Sequence, residues 1–274
     1  MGTTATKARE AHSKAKSKPK NNRSVQHQKI QSARITGVLA LSESKLKTIP
    51  PEILELSTLR TLDLSSNKLS ELPCAMNSLT SLKMLKVSFN VLVTLPNLSK
   101  LKALTSLVLD GNILKDIPHA LPPNLAKLSL KGNDLRTIPQ RVIALGQLQE
   151  LDLSENGIVT LPETMNQMQE LEEINLDGNK LTTLPAVFGR CNKLKILSAR
   201  RNLLAGDVLI QSIAAEVLGE GSAVQVLNLD GNSISKEHLQ RMKGFDAFLT
   251  RRTKLKNKEV HGGLNSDLSL CGLD

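Results

Sequence analysis

The sequence predicts an α/β solenoid. Its concave side is a parallel sheet of about nine strands, its convex side is short helical or 3-10 turns, and a C-terminal helix caps it. Three observations predict this horseshoe. Asparagine recurs at Asn67, Asn90, Asn112, Asn133, Asn156, Asn179, Asn202 and Asn232, with gaps of 23, 22, 21, 23, 23, 23 and 30 residues. Ahead of each lies one apolar frame, as in Leu59-Leu62-Leu64-Asn67-Leu69 and Leu148-Leu151-Leu153-Asn156-Ile158. After six of them comes an apolar residue and proline: Leu72-Pro73, Leu95-Pro96, Ile117-Pro118, Ile138-Pro139, Leu161-Pro162 and Leu184-Pro185.

Each part of the frame has a physical reason. Leu62 and Leu64 alternate as strand residues do, so both point inward while Thr61, Asp63 and Ser65 point out. One repeat cannot bury that face alone; stacking brings Leu85 and Val87 alongside and makes a continuous core. The Asn stands where the chain leaves the strand. Its amide can satisfy backbone groups of its own turn and of the adjacent repeat. Proline lacks an amide hydrogen and fixes φ, so the convex turns should begin after it. Leu79, Val142, Leu145, Met165 and Met168 should seal the back of the core.

Along the chain, residues 1–29 are Lys-, Ser- and Asn-rich and read as a disordered basic arm. The repeat domain spans 30–250. It opens with an N-terminal cap at 30–58, in which Ser44 takes the Asn place. Residues 207–218 read as an amphipathic convex helix with Leu209, Ile210, Ile213 and Val217 inward. A capping helix covers 235–250, with Ser235 as its N-cap and Leu239, Met242, Phe245 and Phe248 as an apolar stripe closing the solenoid's open edge. Residues 251–274 form a basic run and then a flexible tail.

Charge is distributed unevenly. Of the net +10, residues 1–34 carry +8, residues 35–235 carry −1, residues 236–258 carry +6 and the last sixteen −3. A nucleic-acid groove should itself be basic, and the solenoid is nearly neutral. The three cysteines, Cys74, Cys191 and Cys271, form no C-x-x-C pair, which points to a reducing, intracellular setting. No apolar run is long enough to span a bilayer, and no secretory segment opens the chain. The five histidines are scattered, no nucleotide loop or metal-spaced cluster is present, and no cofactor is expected: the chain reads as a non-enzyme.

The start, Met1-Gly2-Thr3-Thr4-Ala5-Thr6, fits the pattern for N-myristoylation at Gly2. One acyl chain holds a membrane marginally. Lys7, Arg9, Lys14, Lys16, Lys18, Lys20 and Arg23 would add attraction to an anionic cytosolic leaflet, making a two-signal anchor. The alternatives are a nuclear-import or nucleic-acid-binding segment and a solubilising tail.

The concave face offers candidate partner-binding residues. Asp63 and Asn175 point outward from their strands, and Glu150, Asp152, Glu155, Glu173 and Asp177 form an acidic patch across two adjacent repeats, with Lys86, Lys127 and Lys131 on one side of it and Arg200 and Arg201 on the other. Phe89, beside Lys86, is the best single anchor because hot spots favour aromatic and Arg side chains.

The frame is the leucine-rich repeat pattern. With the Met1-Gly2 start, the segment from Thr36 to Thr48 and the end from Lys243 to Leu249 with Arg251-Arg252, the chain resembles the intracellular, Ras-group-related leucine-rich repeat family. It is most similar to small members of the leucine-rich repeat-containing protein 57 type and their acylated plant relatives. The arm is longer and more basic here, and no Cys stands beside Gly2. The resemblance implies a monomeric adaptor at the cytosolic face of a membrane, in signalling or trafficking. The alternative is a soluble subunit of cytosol or nucleus regulating a small GTPase or a phosphatase.

Overall fold

The computed structural model describes residues 22–206, 211–262 and 271–273. Nine strands of three residues each lie in one parallel sheet, in chain order. They are β1 (Val38–Ala40), β2 (Thr61–Asp63), β3 (Met84–Lys86), β4 (Ser106–Val108), β5 (Lys127–Ser129), β6 (Glu150–Asp152), β7 (Glu173–Asn175), β8 (Ile196–Ser198) and β9 (Val226–Asn228). The register is strict. Leu39, Leu62, Leu85, Leu107, Leu128, Leu151, Ile174, Leu197 and Leu227 pair successively across the sheet. All nine are buried, as the alternating pattern requires.

The asparagines form a second ladder beside the first. Asn67 Nδ2 donates to the carbonyls of Leu41 and Leu64, and its Oδ1 accepts from the Leu46 N–H. Asn90, Asn112, Asn133, Asn156 and Asn179 repeat this set, tying each turn to the repeat before it. Most are buried; Asn156 and Asn232 are half-buried.

Convex turns follow proline as expected. They are helix α2 (Pro51–Leu54), a 3-10 turn (Cys74–Ser78), helix α3 (Gln140–Ile143) and 3-10 turns at Glu163–Gln167 and Ala186–Arg190. Leu79, Val142, Leu145, Met165 and Met168 are buried behind them. No helical turn follows Pro96 or Pro118. There the repeats are shorter, Pro122 and Pro123 cannot donate, and the Leu98 N–H donates to the Ala120 carbonyl instead.

The ends differ most from expectation. Helix α1 (Asn22–Thr36) begins inside the stretch read as disordered. It buries Ile30 and Ala33 against β1, and Lys29 Nζ donates to the Ala40 carbonyl at 3.0 Å, covering an otherwise open sheet edge. The expected helix over 207–218 is only α4 (Ala215–Leu218). Ile213 instead pairs with Leu184 in a parallel bridge, and Leu209 and Ile210 lie outside the described residues. The expected single capping helix is two, α5 (Lys236–Arg241) and α6 (Phe245–Gly262).

The break falls at Gly244, whose φ of +92° few side chains tolerate. Ser235 caps α5 as expected, its hydroxyl accepting from the His238 N–H. Arg251, within the expected basic run, donates to the carbonyls of Val224, Gly219 and Leu218. The stretch read as flexible tail returns at Cys271, whose carbonyl accepts the Leu229 N–H. That bond is the one the next strand makes to every earlier repeat.

Candidate functional site: the concave sheet and its two lips

Strand alternation puts the first and third residues of every strand on the concave face. At the third position, Asp63 and Asp152 each accept the N–H two residues on at 2.9 Å, and Asn175 does so at 3.0 Å. These bonds turn the chain out of the strand, so part of the expected polar patch is fixed by the fold itself. Asn175 Nδ2 also reaches Asp152 Oδ2 at 3.4 Å.

The acidic residues then separate by role. Glu150 is paired with Lys127 at 2.5 Å across β5 and β6, both partly exposed. Asp177 accepts the Ser198 hydroxyl at 2.7 Å and the Arg200 N–H at 2.8 Å. Asp110 does the same one cluster away, taking the Ser129 hydroxyl at 2.5 Å and the Lys131 N–H at 3.2 Å. Burial pushes the Asp110 carboxyl above its ordinary range, Ser129 pulls it down, and the Asp152 charge raises it again. Glu173 is exposed and has no side-chain partner among the described residues. It is the most available charge of the patch. Ser106, Ser129, Glu150, Asp152, Glu173 and Asn175 line a shallow hollow of about 290 Å³, to which no described residue of either end contributes.

Five expected site residues lie beyond the strands. Lys131, Asp177 and Arg200 stand on the lip where the chain leaves the sheet, and Arg200 Nε is buried there without a partner. Phe89 and Arg201 are corrected more sharply. Each immediately precedes a ladder asparagine and has left-handed backbone, φ +54° and +50°. That conformation swings them off the concave floor onto the flank. The Glu155 carboxylate lies over Gly178 and meets Arg201 at 2.6 Å, and the Phe89 ring lies over Gly111. Lys86 remains on the face, half-buried. Gly2, the cations from Lys7 to Lys20 and the Arg23 side chain lie outside the described residues.

In sequence Asp110 does not stand out, because Asp-Gly-Asn recurs with the repeat at 110–112, 177–179 and 230–232. Its only signal is the serine at Ser129, matched by Ser198 opposite Asp177. Burial drives the Cys191 thiol up to about 11, which leaves it protonated at neutral pH. Among the described residues no group of three His, Cys, Asp or Glu side chains is placed to hold a metal. No described helix is long and apolar enough to cross a membrane.

Comparison with protein families matches the leucine rich repeat model at residues 37–92, 123–181 and 147–204. No curated protein matches. Among solved structures, a leucine-rich repeat protein of Leptospira interrogans is 32% identical, with a TM-score of 0.56, over 74% of this chain and 57% of that one. The ectodomain of the Arabidopsis thaliana membrane receptor kinase GASSHO1/SCHENGEN3, solved in complex with CASPARIAN STRIP INTEGRITY FACTOR 2, is 28% identical, with a TM-score of 0.54, over 72% of this chain and 24% of that one. A TDR receptor is 27% identical, with a TM-score of 0.57, over 72% and 35%. The chain therefore spans little more than half of the first and much less of the other two.

Proposed function

Because the chain belongs to the leucine-rich repeat family, whose folds commonly serve protein–protein binding, we propose that it is a non-enzymatic adaptor that takes a protein partner on its concave face. The observation that carries this reading is the hollow on β4 to β7. Its lining includes Ser129, Asp152, Asn175 and Val108, contains no described residue of either end, and carries the carboxylate of Glu173, which has no side-chain partner among the described residues. A sheet of nine strands has room for a standard interface of about 1,600 Å². The partner surface that fits is one presenting Lys or Arg toward β6 and β7.

The adaptor works from the cytosolic face of a membrane, held by acylated Gly2 and the lysines that follow it. Support for this comes from the Met1-Gly2 pattern and the +8 charge of residues 1–34. Proximity labelling in cells tests both halves. Asp152→Lys/Glu173→Lys removes the partner from the labelled set and leaves the membrane signal; Gly2→Ala disperses the membrane signal and leaves a purified partner bound in vitro. An unchanged labelled set in the double variant defeats the concave reading, and an unchanged membrane signal in Gly2→Ala defeats the tether.

A further inference from the structure

We propose a second docking site, on the flank where the chain leaves the strands, for a peptide segment of another protein that sets an aromatic or aliphatic anchor beside carboxylates. It rests on different residues from the concave site and does not depend on it.

The anchor end is an apolar pad. Phe89, Val91, Val93 and Ile113 are all exposed, Phe89 by 64%. Val91 and Ile113 each follow a ladder asparagine, so they occupy equivalent places in adjacent repeats, about 5 Å apart. The Phe89 ring bridges the two repeats; a Cβ placed on Gly111 would come within 2.6 Å of its Cδ1. A left-handed backbone at this place recurs along the solenoid, at Glu43, Ser66, Glu155 and Arg201 as well as at Gly111, Gly132, Gly178 and Gly231, so the φ belongs to the repeat. What sets Phe89 apart is a large apolar ring left exposed beside Val91, Val93 and Ile113, and an exposed apolar cluster marks a contact surface.

The carboxylate end adjoins it. Two residues beyond Ile113, Lys115 begins a hollow of about 1020 Å³ that continues past Arg136 to Lys180, with Gly157 in its lining. All three cations are exposed, and none is in an ion pair among the described residues. Two carboxylates also line it. Glu155 is held by Arg201 at 2.6 Å, which leaves Asp134 alone against three positive charges.

The geometry favours a peptide over a membrane. A bilayer surface cannot follow a recess with an acidic wall, whereas an extended segment can place its carboxylates in the hollow and its anchor on the pad. The charge preference is also opposite to that of the concave hollow, so one partner would not serve both sites.

The probe is 1-anilinonaphthalene-8-sulfonate, an aromatic anion with the same two features, titrated by fluorescence into the full chain. Saturable binding is expected. Phe89→Ser and Arg136→Glu should each weaken it about tenfold, Glu173→Lys should leave it unchanged, and circular dichroism should show all three folded. A Glu/Phe peptide should displace the dye and a Lys/Phe peptide of equal length should not. Dye binding indifferent to both flank variants, or equal displacement by the Lys/Phe peptide, overturns the proposal. So does a dimer in sedimentation that Phe89→Ser dissolves, which assigns the pad to a second copy. Phosphatidylserine-vesicle binding that Phe89→Ser abolishes assigns it to a bilayer and overturns it equally.

Discussion

Asn179 is buried and spends its whole side chain on backbone. Its Oδ1 accepts the Ile158 N–H at 3.0 Å, and its Nδ2 donates to the carbonyls of Leu153 and Leu176 at 3.0 and 2.9 Å. Asn179→Leu strands those groups away from water, and urea unfolding should show a loss of about 2–4 kcal/mol. Asn156 makes the same bonds but is half-buried, so water can replace part of the set and Asn156→Leu should cost less. Asp110 supplies a pH signature. Its carboxyl is raised in the folded state, so the folded protein binds that proton more tightly than the unfolded chain. Stability contributed here falls as pH rises from the unfolded carboxyl's ordinary value through the folded one, and the deficit persists at neutral pH. Asp110→Asn should therefore stabilise at pH 7, and the gain should vanish in acid where both states are protonated; thermal melts across pH read it. The asparagine role was legible in the sequence because spacing alone implies it. The place of Phe89 was not. Adjacency to Lys86 suggested the concave face, but a left-handed residue turns the chain, and nothing in a phenylalanine announces that φ.

At the scale of elements, strands and convex turns followed from alternation and proline, because each depends on neighbours within its own repeat. The ends depend on distant contacts and were read less well. Leu239, Met242, Phe245 and Phe248 recur at a spacing that suits one helix, yet Gly244 divides α5 from α6. A Cβ there would lie 2.8 Å from the Gly219 nitrogen and 3.0 Å from the Ala215 carbonyl oxygen. The glycine admits a close approach of the chain to α4 as well as a positive φ. Gly244→Ala should cost roughly 2–3 kcal/mol in thermal or urea unfolding, well above the cost of Gly221→Ala, where open space surrounds the Cβ. Helix α1 was hidden for a related reason. Its average composition is polar, and among its described side chains only Ile30 and Ala33 are buried. Their value lies in the β1 edge they cover, which composition does not report.

For the whole molecule, the two ends of the sheet are occupied by the chain itself. Helix α1 lies against β1, and the Cys271 carbonyl meets the Leu229 N–H just beyond β9. No described residue of either end lines the concave hollow, and the proposed adaptor takes its partner there. Site-directed photo-cross-linking tests this most directly, with benzoylphenylalanine installed either at Glu173 on β7 or at Glu163 on the convex turn. Capture of the partner from position 173 and not from 163 is the predicted result. Capture from 163 with none from 173 would contradict it.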